Sequence, residues 1–256
     1  MLHRMTTIAR YVVLETIRSR FFLLIGVVIL FGFVSGLFAQ SISITEGDLT
    51  LVAIVSALMR LVTIVSLGLL IATSVSREFQ SQALDVVLAS DITRAEFYLG
   101  KFIGYAINAL LICCLLMICL LMMAPLFQVL LWGASLFFEA LIVVAFALFC
   151  SFSFSQQTIT LCIILGFYIL ARSISAITLI AETPAIRDDS LFQTVVPYLI
   201  DVLATLLPDF SRFTQTQWLV YESGAMSEFT MLFTQTFIYT SLLIIAGLVD
   251  FYRKNF

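Results

Sequence analysis

Three charged side chains lie inside long apolar runs of this sequence, where a charge is energetically unfavourable. They are Arg60, Glu139 and Arg172. Within the hydrocarbon of a bilayer such a charge costs about 2.5 to 3.5 kcal/mol or more, unless it meets water or a partner. The helical face of Arg60 also carries three hydroxyl side chains, those of Ser56, Thr63 and Ser66. We therefore expect this face to turn inward and line a cavity, where Arg60 meets an anionic group of a substrate or a lipid. An arginine that extends to the outer headgroups is the alternative.

Glu139 and Arg172 carry opposite charges at similar depths in two successive apolar runs. Each lies about seven residues inside the outer end of its run, and a rise of about 1.5 Å per residue places both about 10 Å deep. The short connection near Phe154 makes the two helices antiparallel neighbours, so an ion pair between them is geometrically open. Such a pair either locks the helical hairpin, which we favour, or forms a proton or substrate site.

Motifs for enzymatic chemistry are absent from the sequence. It contains no GxxxxGK[ST] phosphate loop, no HExxH and no GxSxG. The five cysteines have neither CxxC spacing nor a histidine partner, so neither a disulfide framework nor a metal site is indicated. They are Cys113, Cys114, Cys119, Cys150 and Cys162. We expect no catalytic residues, no metal ligands and no intramembrane hydrolysis.

The elements that position these side chains follow from composition. Hydrophobic residues make up 62% of the chain and charged residues 11%, and apolar runs of about 20 residues recur, which is typical of a polytopic membrane protein. The runs lack the strict alternation of a membrane barrel, so they are predicted to be helices and the fold class all-α. The six predicted spans are 21–40, 51–74, 102–124, 131–152, 157–180 and 229–250.

Basic residues near the ends of the spans predict their orientation, because Lys and Arg stay on the cytoplasmic side. With six spans and both termini inside, nine of the thirteen basic residues face the cytoplasm. The outward segments hold two basic and nine acidic residues. We therefore predict a multi-pass protein of the cytoplasmic (inner) membrane, with both termini cytoplasmic and residues 1–256 forming a single transmembrane domain.

Residues 1–20 are predicted to form an amphipathic helix along the cytoplasmic surface of the membrane. One face of this helix carries Met5, Ile8, Ala9, Val12, Thr16 and Ile17. A secretory signal peptide is the alternative reading. It is disfavoured because Glu15 lies within the segment and the next apolar run is long enough to span the membrane.

The longest outward segment, 181–228, contains a second apolar stretch at 191–207. This stretch includes a proline and an aspartate and is about 17 residues long. A seventh span there would also place the basic C-terminus outside. We predict helices that lie in the outer leaflet or dip back into the membrane, with a stop at residues 208–209.

Residues 75–102 form a charged segment between the second and third spans. Apolar and polar side chains repeat at helical spacing over 76–88, which predicts a surface helix. Thr93 and Glu96 are spaced as a capping box, in which each side chain accepts a hydrogen bond from the other residue's backbone amide. A break at 90–91 then separates the surface helix from the helix that enters the third span. Taken alone, this pattern is also typical of a solvated loop.

Several short motifs follow one another in a fixed order along the chain. They are Ser-Arg-Glu-Phe at 76–79, Leu-Asp-Val-Val-Leu-Ala at 84–89, Thr-Arg at 93–94, Leu-Gly-Lys at 99–101, Leu-Pro-Asp-Phe at 207–210 and Phe-Tyr-Arg-Lys at 251–254. This order, over essentially the whole chain, resembles that of the membrane permeases of ABC-2 type ATP-binding-cassette transporters. The position of Asp209 often carries Asn in such permeases.

The resemblance implies that 75–102 contains a coupling helix seated against a separate ABC ATPase subunit. The residues expected to contact that ATPase are Arg77, Glu78, Phe79, Asp85, Val86, Arg94 and Glu96. ATP and Mg are then cofactors of the partner ATPase, and this chain is a transport subunit that binds no cofactor and is not itself an enzyme. The other implied partners are membrane lipid and a second copy of the chain or a homologous permease, so that the cavity expected beside Arg60 would lie between two copies. No nucleic acid is expected.

Export or extraction of a substrate, driven by ATP hydrolysis in the partner, is the function that the resemblance implies. The first alternative is a mechanical transmitter that acts on an external partner protein without passing cargo. An ion-coupled secondary carrier is the second alternative, although the sequence shows no inverted internal repeat. A passive membrane scaffold is the third, and it would lose nothing if the charges of 75–102 were neutralised.

Overall fold

A computed structural model of the protein describes residues 2–19, 21–43, 47–81, 92–154, 156–182 and 200–253. These residues are helical or lie in short connections, and no β-strand occurs among them. A helix satisfies its backbone hydrogen bonds within the segment, as a chain in hydrocarbon requires. The predicted all-α fold class is therefore confirmed.

The helices match the predicted spans closely. In chain order they are α1 (Leu2–Arg18), α2 (Phe21–Ile42), α3 (Gly47–Gln80), α4 (Arg94–Leu120), α5 (Leu126–Ser153), α6 (Gln157–Glu182), α7 (Thr216–Val220) and α8 (Met226–Arg253). Residues 200–206 are also helical, and Phe210–Arg212 form a single 3₁₀ turn. Within the described ranges, six helices are long and apolar enough to cross a membrane, namely α2 to α6 and α8. The multi-pass architecture is thus confirmed.

Helix α5 is the centre of the bundle and packs against α3, α4, α6, α7 and α8. It is the most buried of the six long helices, whereas α2, α6 and α8 are the least buried. The side chains that α2 and α8 expose are largely apolar, among them Leu30, Phe31 and Phe237. Helices that are apolar on all sides and exposed at the periphery suit contact with lipid.

Helix α1 lies lengthwise along the beginning of α4. Its contacts advance by four residues at a time on both helices, and the facing pairs are Ile8 with Gly100, Val12 with Gly104 and Thr16 with Asn108. A Cβ atom on Gly104 would lie 2.8 Å from that of Val12, so the glycine lets the two backbones approach closely. The predicted helix is therefore present, and its place along the cytoplasmic surface of the membrane stays a prediction. Ile17, predicted on the apolar face, is 53% exposed.

Helix α3 continues to Gln80 without a break, so the surface helix predicted from residue 76 does not begin there. Ser76 is buried, and an ion pair between Glu78 and Lys101 holds this last turn against α4. The rest of the predicted surface helix, with the break at 90–91, lies outside the described residues. We call the end of the bundle where α1 and the end of α3 lie the α1 end, and the opposite end the far end.

The described part of the outward segment folds back into the bundle. The helical residues 200–206 end at the predicted stop, Pro208–Asp209, and Phe210, Phe213 and Thr214 are fully buried. Helix α7 then packs against α3 and α5. The portion that enters the bundle is therefore residues 210–220, which follow the apolar stretch at 191–207. We call residues 207–220 the re-entrant segment.

Candidate functional site

The three charged side chains within the long helices converge on one residue of the re-entrant segment, Thr214. Arg60 donates a hydrogen bond from Nη1 to the Thr214 carbonyl oxygen over 3.0 Å. The Thr214 hydroxyl donates to Glu139 Oε2 over 2.7 Å, and Arg172 Nη1 lies 3.3 Å from the same hydroxyl oxygen. We call these four residues the Thr214 cluster. Its charged members lie in the middle third of α3, α5 and α6.

Glu139 and Arg172 lie within ion-pair distance, with Thr214 bridging them. Arg172 Nη1 is 3.7 Å from Glu139 Oε1, and the carboxylate side chain is fully buried while the guanidinium side chain is 23% exposed. Arg172 also donates hydrogen bonds to the carbonyl oxygens of Phe210 and Phe213. The guanidinium therefore serves two partners, the carboxylate of α5 and the backbone of the re-entrant segment.

The backbone of Thr214 lies outside any helix, so its amide and carbonyl groups have no intrahelical hydrogen bonds. Its φ angle is 46°, in the left-handed region that a β-branched residue rarely adopts. Its amide donates to Ser135 Oγ over 2.9 Å, so its amide, carbonyl and hydroxyl groups all have partners on the long helices. Irregular backbone is tolerated at membrane depth only where protein groups satisfy it. The cluster is thus a clamp for the re-entrant segment.

The three hydroxyl residues predicted beside Arg60 do face inward, but toward the core of the same chain. Ser56 and Thr63 are fully buried and donate to carbonyl oxygens of their own helix, and Ser66 is 7% exposed. In this structure Arg60 donates to the Thr214 carbonyl oxygen. A contact of Arg60 with an anionic group of a substrate or lipid, and a cavity between two copies of the chain, stay predictions.

A second group of contacts ties α3 to α4 at the α1 end. Lys101 on α4 is 1% exposed and donates from Nζ to Glu78 Oε1 at the end of α3. The same nitrogen lies 5.5 Å from the ring centroid of Phe97 and 5.9 Å from that of Tyr105, within the range of cation–π contacts. A buried charge pair adds little net stability, but breaking it strands the remaining charge. The pair therefore fixes how α3 and α4 meet.

The beginning of α4 is also tied to the last turn of α8. Arg94 Nη1 donates to the carbonyl oxygens of Phe251 over 2.9 Å and Tyr252 over 3.2 Å, where a helix leaves carbonyls unpaired. Thr93 and Glu96 form the predicted capping box, with both reciprocal bonds present. The capping Glu96 is only 4% exposed.

The residues predicted to contact an ATPase therefore divide into three groups. Glu78, Arg94 and Glu96 bind groups of their own chain, and Phe79 packs its ring 5.9 Å from that of Phe152. Arg77 is exposed. The remaining two predicted residues, Asp85 and Val86, lie outside the described residues. In this structure the first group holds the segment in place.

Sequence reasoning missed three residues that organise these sites: Thr214, Ser135 and Lys101. Threonine and serine in an apolar chain carry no signal of their own, and the buried non-helical residue Thr214 follows Pro208 by only six positions. Lys101 lies next to span three, and the sequence therefore predicted only that it is a basic residue at the cytoplasmic end of a helix. Nothing in its spacing identified Glu78, 23 residues earlier, as its partner.

A cavity of about 640 Å³ opens at the far end, between α6, residues 204–212 and α8. It is lined by an ion pair, Arg212 Nε with Asp209 Oδ2 at 3.0 Å, and by hydroxyl and amide side chains. The latter belong to Ser175, Thr178, Thr234, Gln235 and Tyr239. The mixture of charged, polar and apolar walls suits an amphiphilic ligand.

No group of three or more His, Cys, Asp or Glu side chains within the described residues could hold a metal ion. The cysteines are free thiols. No protein-family model matches the chain, and no curated protein matches it.

Proposed function

We propose that this protein is the membrane permease of an ABC-2 type transporter, in which a separate ATPase docks on the segment around residues 76–93. The observation that carries the proposal is the anchoring of both sides of that segment. On one side the Glu78–Lys101 pair fixes the end of α3, and on the other Arg94 fixes the beginning of α4 to α8. In this arrangement the chain lies in the inner membrane with both termini cytoplasmic.

Force applied to this segment would move several long helices together. The rings of Phe97, Phe152 and Phe251, from α4, α5 and α8, form one cluster, with the centroids of Phe152 and Phe251 4.8 Å apart. Close-packed interiors transmit displacement and do not absorb it. ATP and Mg belong to the partner subunit. This chain would convert the movement of the ATPase into a rearrangement of its own helices.

Helix α3 links the two sites. It is 34 residues long and carries Glu78 at one end and Arg60, 18 residues away, which is about 27 Å at the rise of an α-helix. A shift of α3 against α5 and α6 would therefore alter the hydrogen bond between Arg60 and Thr214. The re-entrant segment that this bond helps to hold also borders the 640 Å³ cavity, through Leu207, Asp209 and Arg212.

This connection favours export of a substrate over transmission of force to an external protein, because it joins the docking segment to a cavity that could hold cargo. The homodimer or heterodimer expected of such a permease, and its contact with membrane lipid, belong to the same proposal. A mechanical transmitter would need the segment and the helices, but not the cavity.

Charge reversal in the docking segment tests the proposal. Asp85→Arg is compared with Asp201→Arg, the same change at an exposed position of the outward segment. Both variants are reconstituted with the partner ATPase, and ATP hydrolysis and substrate export are measured. We expect Asp85→Arg to insert and fold normally while losing the link between hydrolysis and export, and Asp201→Arg to keep it. Normal coupling in Asp85→Arg and in a second variant, Val86→Asp, would contradict the proposed docking segment.

A further inference from the structure

A second cavity, of about 270 Å³, lies where α1 gives way to α2 and both face α3. Its wall holds two side chains of opposite charge, Glu15 from α1 and Arg77 from α3. Neither forms an ion pair with another residue of the described ranges. The neighbouring Glu78–Lys101 pair is neutral as a whole, so the wall presents one positive and one negative charge.

A buried hydroxyl group, that of Ser74, also lines the cavity and lies beside the hydroxyl of Tyr105. Ser74 is only 7% exposed. The hydroxyl can serve as donor or acceptor for a ligand in the cavity.

The opposite wall is apolar and opens to the outside of the bundle. Leu24 and Leu69 line it and are 51% and 40% exposed. A volume of 270 Å³ is slightly below that of pockets for drug-sized ligands, at about 300 Å³ and above. The cavity can therefore take the headgroup of a lipid while the acyl chains leave it along the exposed leucines.

We propose that this cavity binds a glycerophospholipid whose headgroup carries a phosphate and a primary ammonium group, as in phosphatidylethanolamine. Arg77 binds the phosphate, and Glu15 with Ser74 accepts hydrogen bonds from the ammonium group. A choline headgroup has no N–H to donate. In phosphatidylglycerol the phosphate is the same but a neutral glycerol replaces the ammonium group, so Glu15 loses the cation of the headgroup.

Native mass spectrometry of the purified full-length chain, titrated with phosphatidylethanolamine, phosphatidylcholine and phosphatidylglycerol, tests this site. The wild type is expected to bind phosphatidylethanolamine about tenfold more tightly than the other two, as loss of one charged hydrogen bond predicts. Glu15→Gln should shift this preference about tenfold toward phosphatidylglycerol, and Arg77→Gln should weaken binding of all three. The matched control, Arg10→Gln, changes an exposed charge of α1 outside the cavity and should behave as the wild type.

Equal binding of the three lipids by the wild type would overturn the proposal. So would an unchanged preference in both Glu15→Gln and Arg77→Gln, provided that their thermal unfolding matches that of the wild type. If either variant is unstable, Ser74→Ala is used instead, because it leaves the charge unchanged and should weaken binding of phosphatidylethanolamine. Unchanged binding in Ser74→Ala would then overturn the proposal. The measurement uses neither ATP nor an ATPase, so its outcome is independent of the coupling proposed above.

Discussion

Thr214 illustrates, at the scale of single residues, how a helical bundle accommodates a segment that is not helical. Its amide, carbonyl and hydroxyl groups bond to Ser135, Arg60 and Glu139, on two different helices. Arg172 adds bonds to two neighbouring carbonyl oxygens of the re-entrant segment. The two arginines therefore donate to carbonyl oxygens of the re-entrant segment, and Glu139 accepts the hydrogen bond of the Thr214 hydroxyl.

Removing the guanidinium of Arg172 should be costly, because it leaves the buried Glu139 carboxylate without its ion-pair partner and the Phe213 carbonyl oxygen without the guanidinium donor. We expect Arg172→Gln to destabilise the protein by about 3 to 5 kcal/mol. The exposed ion pair of Arg212 serves as the control, and Arg212→Gln should cost about 1 kcal/mol or less. Thermal unfolding in detergent compares the two. Equal shifts would show that the buried cluster has no special role.

Exchange of the two charges is not expected to repair the cluster. In the double variant Glu139→Arg with Arg172→Glu, the new carboxylate faces the carbonyl oxygens of Phe210 and Phe213, to which it cannot donate. We therefore expect the double variant to recover less than half of the stability lost by Arg172→Glu alone. Nearly full recovery would indicate a simple ion pair and would contradict the clamp.

The Thr214 hydroxyl can be tested alone, since Thr214→Val keeps the branched shape at the unusual φ angle. The Glu139 oxygen that accepts its bond is buried, so we expect a loss of about 1 to 3 kcal/mol in the free energy of unfolding. Thr205→Val, at an exposed position of the same region, should change it by less than about 0.5 kcal/mol. Similar values for both variants would remove the hydroxyl from the cluster.

At the scale of elements, the spans could be predicted because hydropathy is a property of each stretch of sequence and does not depend on neighbouring helices. The contacts between the helices were harder to predict. Equal depth in adjacent antiparallel helices did predict that Glu139 and Arg172 lie close together. In the structure Arg172 Nη1 is 3.7 Å from Glu139 Oε1. The periodicity of α1 correctly gave a helix, but periodicity cannot distinguish a lipid surface from α4 as the partner of an apolar face. The unbroken end of α3 likewise depends on a tertiary contact, Glu78 with Lys101.

The lengthwise packing of α1 on α4 predicts sensitivity to added volume at Gly104. A valine there would place its Cβ 2.8 Å from that of Val12, so α1 must shift. We expect Gly104→Val to cost about 1 to 3 kcal/mol and to increase protease cleavage within residues 2–18. Gly166→Val is the control, because nothing lies within 4 Å of the Cβ position there. An α1 that lies flat on the membrane and only touches α4 would tolerate both changes alike.

At the scale of the whole molecule, two sites and two cavities are arranged along one bundle. The two anchored ends of the segment proposed as the docking site, residues 76–81 and 92–94, and the 270 Å³ cavity lie at the α1 end, and the re-entrant segment with the 640 Å³ cavity lies toward the far end. Helix α3 contributes to both sites, through Glu78 and Arg60. Movement that begins at one end therefore has a direct route to the other.

The central claim, that a separate ATPase drives this bundle, is tested most directly by isolating the tagged chain from its native membranes in mild detergent. Mass spectrometry should identify a copurifying polypeptide with a GxxxxGK[ST] phosphate loop, in amounts comparable to the chain, and the complex should hydrolyse ATP in the presence of Mg. A stable, folded preparation that contains no such polypeptide and hydrolyses no ATP would contradict the account.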